Sequence, residues 1–496
     1  MQDLILALDQ GTTSTRALAV NRDLKPIAIA QSMLPQSYPQ PGWVEHDAEE
    51  IWRATLEVAG GVIAQAGGPD RFAAIAITNQ RETVVAWDAE TSEVFGPAIV
   101  WQDRRTASTC SELAAQGKEP AFQAATGLLL DPYFSGSKIG WMLENRPEAA
   151  AAAQRGTLRV GTIDCFLIWR LTGGKVHATD ATNASRTALF GLASQQWEND
   201  LCALFGVPMV ALPTVKNGID DYGATPASLF GRPVPIRAVA GDQQAALVGQ
   251  GCLSPGLAKV TFGTGAFLVA NTGDAPIASS HRLLGTVGYR LGGKVAYALE
   301  GSIFNAGTVV QWLRDELGFF AQSADIEALA ASVPDAGGVV VVPAFTGLGA
   351  PHWLADARGS ISGITRGTTK AHIARAALDS VALQTADLLT ALEADGAPTL
   401  AALRVDGGMA ANATFLQRLA DLCGVPVERP SETEMTALGV ASLAAIDQGW
   451  IAGLEALGAR WKADARFEPK GDRQELERAR EGWALGLAAT RAAIPA

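Results

Sequence analysis

The sequence predicts an α/β fold made of two halves that are built alike. Three observations support this prediction: short apolar strands alternate with amphipathic helices, a β-meander opens the chain, and a second meander with a similar Gly-Thr turn begins near its middle. The chain has 496 residues, a length that suits about two to four domains. We place the boundary at residue 250, which gives an N-terminal domain over residues 1–249 and a C-terminal domain over residues 250–496.

The first meander is predicted from short apolar runs separated by polar turns. The runs cover residues 4–8, 16–20 and 27–30, and residues 9–13 form the first turn. Strands at 257–262 and 266–270 repeat this pattern around Gly263-Thr264-Gly265, and a further strand pair is predicted at 287–291 and 295–299. Gly11 and Gly263 are 252 positions apart, close to half the chain length. This spacing suggests an internal duplication, although a chance match of two common hairpins explains it equally well.

Helical and strand patterns alternate in the rest of the chain. Helices are predicted at residues 48–66, 303–317 and 372–392, where apolar residues recur at helical spacing. Strands are predicted at 72–78, 83–88, 236–240 and 403–406. Residues 208–235 are rich in Pro and Gly and are predicted to be mostly loop, whereas the highly charged residues 467–480 are predicted to form a solvated helix.

The composition argues against several classes of protein. Thirty-nine basic and 51 acidic side chains give a net charge of −12, which is unfavourable for binding nucleic-acid phosphates. The sequence lacks an apolar run near the roughly 18 residues of a membrane span, and its first residues lack the pattern of a signal peptide. Five widely spaced cysteines fit reduced thiols better than a disulfide framework. We therefore expect a soluble cytoplasmic protein that neither enters membranes nor binds nucleic acid.

The turn after the first strand carries residues suited to holding phosphate. The sequence contains neither the P-loop pattern GxxxxGK[ST] nor GxGxxG, but N–H groups and hydroxyls in a tight turn also form an anion site. Thr12, Thr13 and Ser14 supply such groups, Asp9 could hold Mg²⁺ through water, and Arg16 could meet a transferred phosphoryl group. A plain hairpin is the alternative. Two such hairpins facing each other, one per half, are the design of actin-like and ribonuclease-H-like ATPase domains.

Polar and aromatic residues after other strands suggest a site for a polyol. Arg81 and Glu82 together offer five donors and a carboxylate acceptor to neighbouring hydroxyls, although a surface ion pair is the commoner role of such a pair. Asp242 follows the strand at 236–240, and ligands bind at this end of strands in α/β proteins. Trp101 and Tyr133 could pack on a carbon chain, or could equally be core residues.

Two longer motifs occur at residues 133–145, YFSGSKIGWMLEN, and in the run from Gly359 to Asp379. With these two runs, which match the two signatures of the family, the chain resembles the FGGY carbohydrate kinases over essentially its whole length. Six motifs occur in the order typical of members that phosphorylate glycerol: DQGTTSTR, NQRET, WQDRR, DPYFS, TDATNASRT and GDQQAAL. The resemblance implies two actin-like, ribonuclease-H-like domains with a catalytic cleft between them. It also implies transfer of a phosphoryl group from ATP to glycerol, giving sn-glycerol 3-phosphate.

The resemblance implies roles for individual residues as well. The expected contacts to glycerol are Arg81, Glu82, Tyr133, Asp242 and Gln243 through its hydroxyls, and Trp101 and Phe267 on its carbon chain. The expected contacts to ATP or ADP are Thr12, Thr13, Ser14, Arg16, Thr264, Gly265, Gly307, Gln311, Gly408 and Asn412. Asp242 is expected to be the general base and Arg16 to stabilise the phosphoryl group, and both are therefore expected to be catalytic. Asp9 and Asp242 are expected to hold Mg²⁺ through water.

Two other functions stay open at this point. One is an FGGY kinase of a larger polyol or of a ketose such as xylulose, although Arg81-Glu82 with Trp101 suits a short triol better. The other is an actin-like nucleotide-binding structural protein, which would leave the polar residues Arg81, Glu82, Asp242 and Gln243 without a role. Residues 227–233 lack the Gly-rich run that binds fructose 1,6-bisphosphate in some relatives, so whether that compound inhibits this protein stays open. A homo-oligomer, either a dimer or a tetramer, is expected.

Overall fold

The computed structural model describes residues 2–494, and its first central sheet is built from residues of the N-terminal half. In spatial order its strands are Ile236–Gly241, Phe72–Asn79, Leu4–Gln10, Ser14–Asn21 and Pro26–Met33. The first three run parallel, and the third, Leu4–Gln10, forms the antiparallel meander with the last two. The parallel strands Leu4–Gln10 and Phe72–Asn79 are almost wholly buried, which is typical of a sheet covered on both faces.

The second central sheet repeats this arrangement in the C-terminal half. Its spatial order is Leu284–Leu291, Lys294–Ile303, Ala266–Gly273, Leu257–Phe262, Ala402–Asp406, Val427–Pro430 and Ala463–Phe467. Without the two edge strands, the inner five have the order and directions of the first sheet. The predicted α/β fold of two similarly built halves is therefore confirmed, and the shared topology resolves the duplication left open by the sequence.

Helices cover the faces of both sheets. In the N-terminal half the α-helices are Ala48–Gln65, Ala107–Ala115, Glu119–Thr126, Ser135–Asn145, Pro147–Arg155, Ile163–Leu171, Ala181–Ala184, Asn199–Leu204, Ala227–Phe230 and Asp242–Gly249. In the C-terminal half they are Gly307–Asp315, Asp325–Ala331, Lys370–Ala394, Ala413–Cys423, Met435–Asp447, Leu454–Gly458 and Arg473–Ala492. Single 3₁₀ turns are formed by Pro69–Arg71, Met209–Ala211 and Gly408–Ala411.

Smaller sheets complete the fold. A four-stranded sheet next to the first central sheet has the order Glu45–His46, Ala98–Ile99, Val84–Asp88 and Leu158–Thr162. Three strand pairs are Phe190–Gly191 with Gln196–Trp197, Ala178–Asp180 with Thr214–Lys216, and Val340–Val342 with Ser360–Ser362. Within residues 2–494, none of the helices is sufficiently long and apolar to cross a membrane.

One close helix pair joins the two halves. The helices Asp242–Gly249 and Met435–Asp447 each follow the last parallel strand of their half, and they pack on one another. Glycines allow this contact, because a Cβ added at Gly439 would lie only 1.8 Å from the carbonyl oxygen of Ala245. The helix Met435–Asp447 also packs on the first sheet, and Val440 and Leu443 share a core cluster with Ile5 and Ala76. Asp242 therefore begins a helix that is held by both halves.

Two sequence predictions differ from the structure in their details. The helix predicted from residue 303 begins at Gly307, because the strand continues to Ile303 and the N–H of Gly307 donates to the Gly263 carbonyl over 2.9 Å. The charged helix predicted at 467–480 begins at Arg473, where the Asp472 side chain caps it, and continues to Ala492. It is not fully solvated, since Trp483 is 3% exposed.

Candidate active site

The two predicted phosphate hairpins lie at the ends of corresponding strands in the two sheets. The first turn is closed by a hydrogen bond from the Gly11 N–H to the Ser14 carbonyl over 3.0 Å. Thr13 and Thr264 at the two turns are exposed. Trp101 connects the regions, because its indole N–H donates to Thr12 Oγ1 over 2.9 Å while its ring meets the Phe267 ring edge-on at 6.0 Å. The hairpins therefore border a common space.

A cavity of about 440 Å³ opens beside the second hairpin. Its lining includes five of the residues expected to contact the nucleotide, namely Thr264, Gly307, Gln311, Gly408 and Asn412. Ser323 and Glu327, from the next helical segment, also line it and were missed by sequence reasoning. A Cβ added at Gly408 would meet no atom within 4 Å, so the backbone there faces open space. Gly265 does not line this cavity; it packs against the Ile303 carbonyl, which a Cβ would approach to 2.5 Å.

Three aromatic side chains stand together at the junction of the halves. The Trp101 ring meets the Tyr133 ring at 5.5 Å and the Phe267 ring at 6.0 Å, both in edge-on geometry. Tyr133 is 7% exposed, while Trp101 and Phe267 are partly exposed. Burial raises the pKa of Tyr133, and the nearby Glu82 raises it further. Tyr133 is therefore a neutral phenol that can donate or accept a hydrogen bond.

Arg81, whose charge acts on the Tyr133 phenol, meets Asp242. Arg81 Nε lies 3.2 Å from Asp242 Oδ1, and the Arg81 side chain is 2% exposed while that of Asp242 is 28% exposed. Asp242 is the first residue of its helix and follows the strand Ile236–Gly241 directly. Its carboxylate is consequently held at one edge by a buried cation and stays accessible at the other.

Glu82 adopts a left-handed backbone conformation with φ of 59°. A residue other than glycine rarely adopts this conformation, and it is common at functional turns. The turn is held by the Ser135 hydroxyl, which donates to the Glu82 carbonyl over 3.1 Å, and by Arg186, whose Nε donates to Glu82 Oε1 over 2.6 Å. Burial raises the pKa of Glu82 against the opposing effect of Arg81 and Arg186.

Gln243 accepts a hydrogen bond from a buried lysine of the second sheet. The ammonium group of Lys259 donates to Gln243 Oε1 and, over 2.9 Å, to the Thr261 hydroxyl. Because the amide oxygen is occupied by this donor, the amide nitrogen of Gln243 is the end left for another partner. Burial lowers the pKa of Lys259 to about 8, although the acidic groups of Asp406 and Asp242 oppose this effect.

Arg16 and Asp9 flank the first hairpin. Arg16 Nη1 lies 2.8 Å from Glu434 Oε2, and Glu434 precedes the helix Met435–Asp447 of the other half. Burial, together with the charge of Asp242, raises the pKa of Asp9 to about 7. Across the described residues, no cluster of three or more His, Cys, Asp or Glu side chains is arranged to hold a metal ion. Asp9 and Asp242 are instead two acids close enough for the charge of Asp242 to raise the pKa of Asp9. Such a pair suits a cation whose remaining ligands are water and phosphate oxygens.

Besides Ser323 and Glu327, sequence reasoning missed four more residues of the site, all charged: Arg186, Lys259, Glu300 and Glu434. Arg186 lies within the quoted motif TDATNASRT, but it was given no role of its own. Lys259 and Glu300 left a weak signal, because each is a single charge in or beside an apolar strand run. A buried charge needs a partner, and the partners of these residues come from distant positions in the chain, such as Arg81 for Glu300.

Comparison with known proteins gives consistent results over the whole chain. Residues 4–249 match the N-terminal domain of the FGGY family of carbohydrate kinases, and residues 258–447 match its C-terminal domain. A curated relative named glycerol kinase from Gluconobacter oxydans is 52% identical, covering 97% of this chain and 94% of the relative. A second, from Rhodospirillum centenum, is 53% identical and covers 99% of both chains.

A solved structure agrees with these relatives. The crystal structure of Plasmodium falciparum glycerol kinase with ADP is similar to this chain with a TM-score of 0.93 and 34% sequence identity. The match covers 99% of this chain and 98% of the other. The chain therefore belongs to the FGGY family of carbohydrate kinases.

Proposed function

We propose that this protein transfers the γ-phosphoryl group of ATP to glycerol and forms sn-glycerol 3-phosphate. The observation that carries the proposal is the meeting of Arg81 and Asp242, 3.2 Å apart, with Arg81 close enough to Tyr133 for its charge to act on the phenol. The Tyr133 ring in turn meets the Trp101 ring at 5.5 Å. The curated relatives named glycerol kinase, at 52–53% identity over almost the full chain, support the choice of glycerol.

The acceptor-binding residues suit a short triol. Arg81, Glu82, Tyr133 and Gln243 offer donors and acceptors to hydroxyls, and Trp101 with Phe267 offers apolar ring surface to the carbon chain. Because these groups are largely buried, a ligand lacking one of the hydroxyls would leave a polar group without a partner. We propose that this arrangement selects glycerol by its hydroxyl pattern.

Asp242 is proposed as the general base. Its carboxylate is partly exposed and borders the acceptor-binding residues, so it is placed to accept the proton of the attacking hydroxyl. Proton transfer of this kind typically contributes about 10²–10⁴-fold to the rate. The transferred phosphoryl group passes through a loose, in-line transition state, so the remaining residues chiefly position it and stabilise its charge.

The two hairpins and the cavity beside the second are proposed to hold ATP. Thr12, Thr13, Ser14 and Arg16 would contact phosphates from the first half, and Thr264 and Gly265 from the second. The nucleoside would be contacted by four residues that line the 440 Å³ cavity together with Thr264, namely Gly307, Gln311, Gly408 and Asn412. The N-terminal residues 1–249 would then bind glycerol and phosphate, and residues 250–496 the nucleotide.

Mg²⁺ is proposed to bind near Asp9 and Asp242. The raised pKa of Asp9 reflects burial and the nearby Asp242 charge, and a divalent cation would relieve both effects. When bound, the ion would neutralise charge on the phosphate oxygens. Asp9 and Asp242 would orient its water ligands, since the pair supplies only two side-chain carboxylates.

An acceptor panel tests the proposed function. ADP release is measured with glycerol, xylulose, gluconate and no acceptor. We expect turnover that depends on glycerol, with a much lower kcat/KM for the other two acceptors. Preference for xylulose or gluconate would favour the alternative kinase, and turnover that is equal without any acceptor would contradict the proposal.

We propose two further properties, the cellular compartment and the oligomeric state. The cytoplasm is the expected compartment, because ATP is the substrate and the five cysteines of the described chain are free. A dimer or tetramer is the expected oligomeric state, and light scattering of the purified protein would measure it.

A further inference from the structure

Glu300 connects the candidate acceptor site to the second sheet. It lies on the strand Lys294–Ile303 and accepts two hydrogen bonds from Arg81, one from Nη1 to Oε2 over 2.5 Å and one from Nη2 to Oε1 over 3.0 Å. Arg186 Nη2 donates to the same Oε1 over 3.0 Å. Arg81 and Arg186 belong to the N-terminal half, so a carboxylate from one half holds two arginines of the other.

This contact is fully buried. Glu300 and Arg186 are 0% exposed at their side chains, and Arg81 and Glu82 are 2% exposed. Burial alone would raise the pKa of Glu300, but the charges of Arg186 and Arg81 outweigh it and lower the pKa to about 2. The two arginines are therefore balanced by Glu82 and Glu300, and no other carboxylate contacts Arg186 among the described residues.

The hydrogen bonds also fix the direction in which Arg81 points. Glu300 occupies both Nη atoms of the guanidinium, and Gln244 Oε1 accepts a further bond from Nη1 over 3.3 Å. The Nε edge is the part that faces Asp242 at 3.2 Å. A planar guanidinium held at two atoms has little freedom to rotate, so Glu300 determines which edge of Arg81 reaches the acceptor site.

We propose that Glu300 is a positioning residue for the acceptor, which completes the glycerol site from the second half by fixing the guanidinium of Arg81. The proposal rests on the proposed function of the same site. It implies that the N-terminal half binds glycerol well only while the second sheet packs against it. It also implies that Glu300 acts through Arg81 and Arg186 and makes no contact with the acceptor.

Two substitutions at Glu300 test this role. Glu300→Gln has the same shape but places an amide N–H against a guanidinium N–H, so it cannot accept both bonds from Arg81. We expect the KM for glycerol to rise by about 10²-fold, because a misdirected Arg81 no longer makes its charged hydrogen bond to the acceptor in a buried site, while the KM for ATP changes by less than about threefold. Glu300→Asp keeps the charge but is one methylene shorter, and we expect an intermediate KM for glycerol.

Asp379→Asn is the matched control. Asp379 is a buried carboxylate of the same half, and it holds Arg375 and Arg418 rather than any residue of the candidate site. Its substitution also removes a charge from a buried ion-pair cluster, so the melting temperature is expected to fall in both variants. The KM for glycerol is expected to change only in the Glu300 variants.

The outcomes separate this proposal from the proposed function. The wild-type enzyme is first assayed on the acceptor panel, and the variants are then assayed with the acceptor that it prefers; a preference other than glycerol contradicts the proposed function alone. An unchanged acceptor KM in folded Glu300→Gln would overturn the positioning role. So would a rise of its acceptor KM and ATP KM by the same factor, or an equal rise of the acceptor KM in Asp379→Asn. If Glu300→Gln is recovered unfolded, an acceptor KM for Glu300→Asp equal to that of the wild type would overturn it instead.

Discussion

Arg16 of the first hairpin forms an ion pair with Glu434, 2.8 Å away, and Glu434 lies just before the helix of the other half that packs against the helix of Asp242. The same relationship occurs at Arg81, which pairs with Glu300. In both cases an arginine expected to contact a substrate in the N-terminal half is held by a carboxylate of the C-terminal half. The packing of the two halves therefore sets the direction of both guanidinium groups.

Arg16→Gln should lower kcat by about 10²–10³-fold, because the substitution removes a charged donor from the phosphoryl group in the transition state. The KM for glycerol should change by less than about threefold. Steady-state kinetics with both substrates varied would measure these values. Glu434→Gln is the matched control and should cost about tenfold or less, since its ion pair with Arg16 is partly exposed. A turnover number for Arg16→Gln close to wild type would refute the role of Arg16.

Gly408→Leu should raise the KM for ATP by about tenfold or more, with little change in melting temperature. The glycine lines the 440 Å³ cavity, and a side chain added there would enter open space rather than strain the fold. A tenfold rise in the KM for ATP corresponds to a loss of about 1.4 kcal/mol of binding free energy. Gly60→Leu is the control, because Gly60 is exposed on the helix Ala48–Gln65 and a Cβ there also meets no atom. Equal KM values for ATP in the two variants would place the nucleotide elsewhere.

Gly439→Ala should destabilise the contact between the halves. The added Cβ would lie 1.8 Å from the Ala245 carbonyl oxygen, so the helices Asp242–Gly249 and Met435–Asp447 would have to separate. Overpacking typically costs about 1–3 kcal/mol, and kcat should fall as well because Asp242 begins one of these helices. Urea unfolding and kcat of this variant, compared with Gly60→Ala, would test the prediction. Wild-type stability in Gly439→Ala would show that the helices do not pack in this way.

Stability should fall as the pH decreases from 7.5 to 5, and His177 should account for part of the change. Burial lowers the pKa of His177 to about 4 in the folded protein, compared with about 6.5 in the unfolded chain. Between about pH 4 and 6.5 the unfolded state therefore binds more protons than the folded state. At pH 5 this lowers the free energy of unfolding by about 2 kcal/mol relative to pH 7.5. Urea unfolding of the wild type and of His177→Gln at pH 7.5 and pH 5 would measure this change in the free energy of unfolding. An identical pH dependence in the two proteins would contradict the prediction.

Local sequence patterns predicted the sheets well but predicted the site only in part. The hairpins around Gly11 and Gly263 follow from short apolar strands and tight turns, which depend on neighbouring residues. The helix predicted to start at residue 303 starts at Gly307, because a hydrogen bond from Gly307 to Gly263 across the turn determines where the helix begins. Hydrophobic periodicity contains no information about such contacts.

The partners of the site residues could not be predicted for the same reason. Arg81 and Glu300 are 219 positions apart, and Arg16 and Glu434 are 418 apart. Their pairing depends on how the two sheets pack, which a single sequence does not reveal. The resemblance to a known family supplied Arg81 and Asp242 as candidates, whereas only the structure identified the carboxylates and the lysine that hold the neighbouring groups.

The most direct test of the account is the turnover of Asp242→Asn with ATP and glycerol, measured together with equilibrium binding of ATP. Asparagine keeps the shape of the side chain but cannot accept a proton at pH 7, so we predict a loss of about 10²–10⁴-fold in kcat while ATP binding stays within about threefold of the wild type. Near-normal turnover in this variant would contradict the central claim that Asp242, held by Arg81 at the junction of the two halves, activates the acceptor hydroxyl.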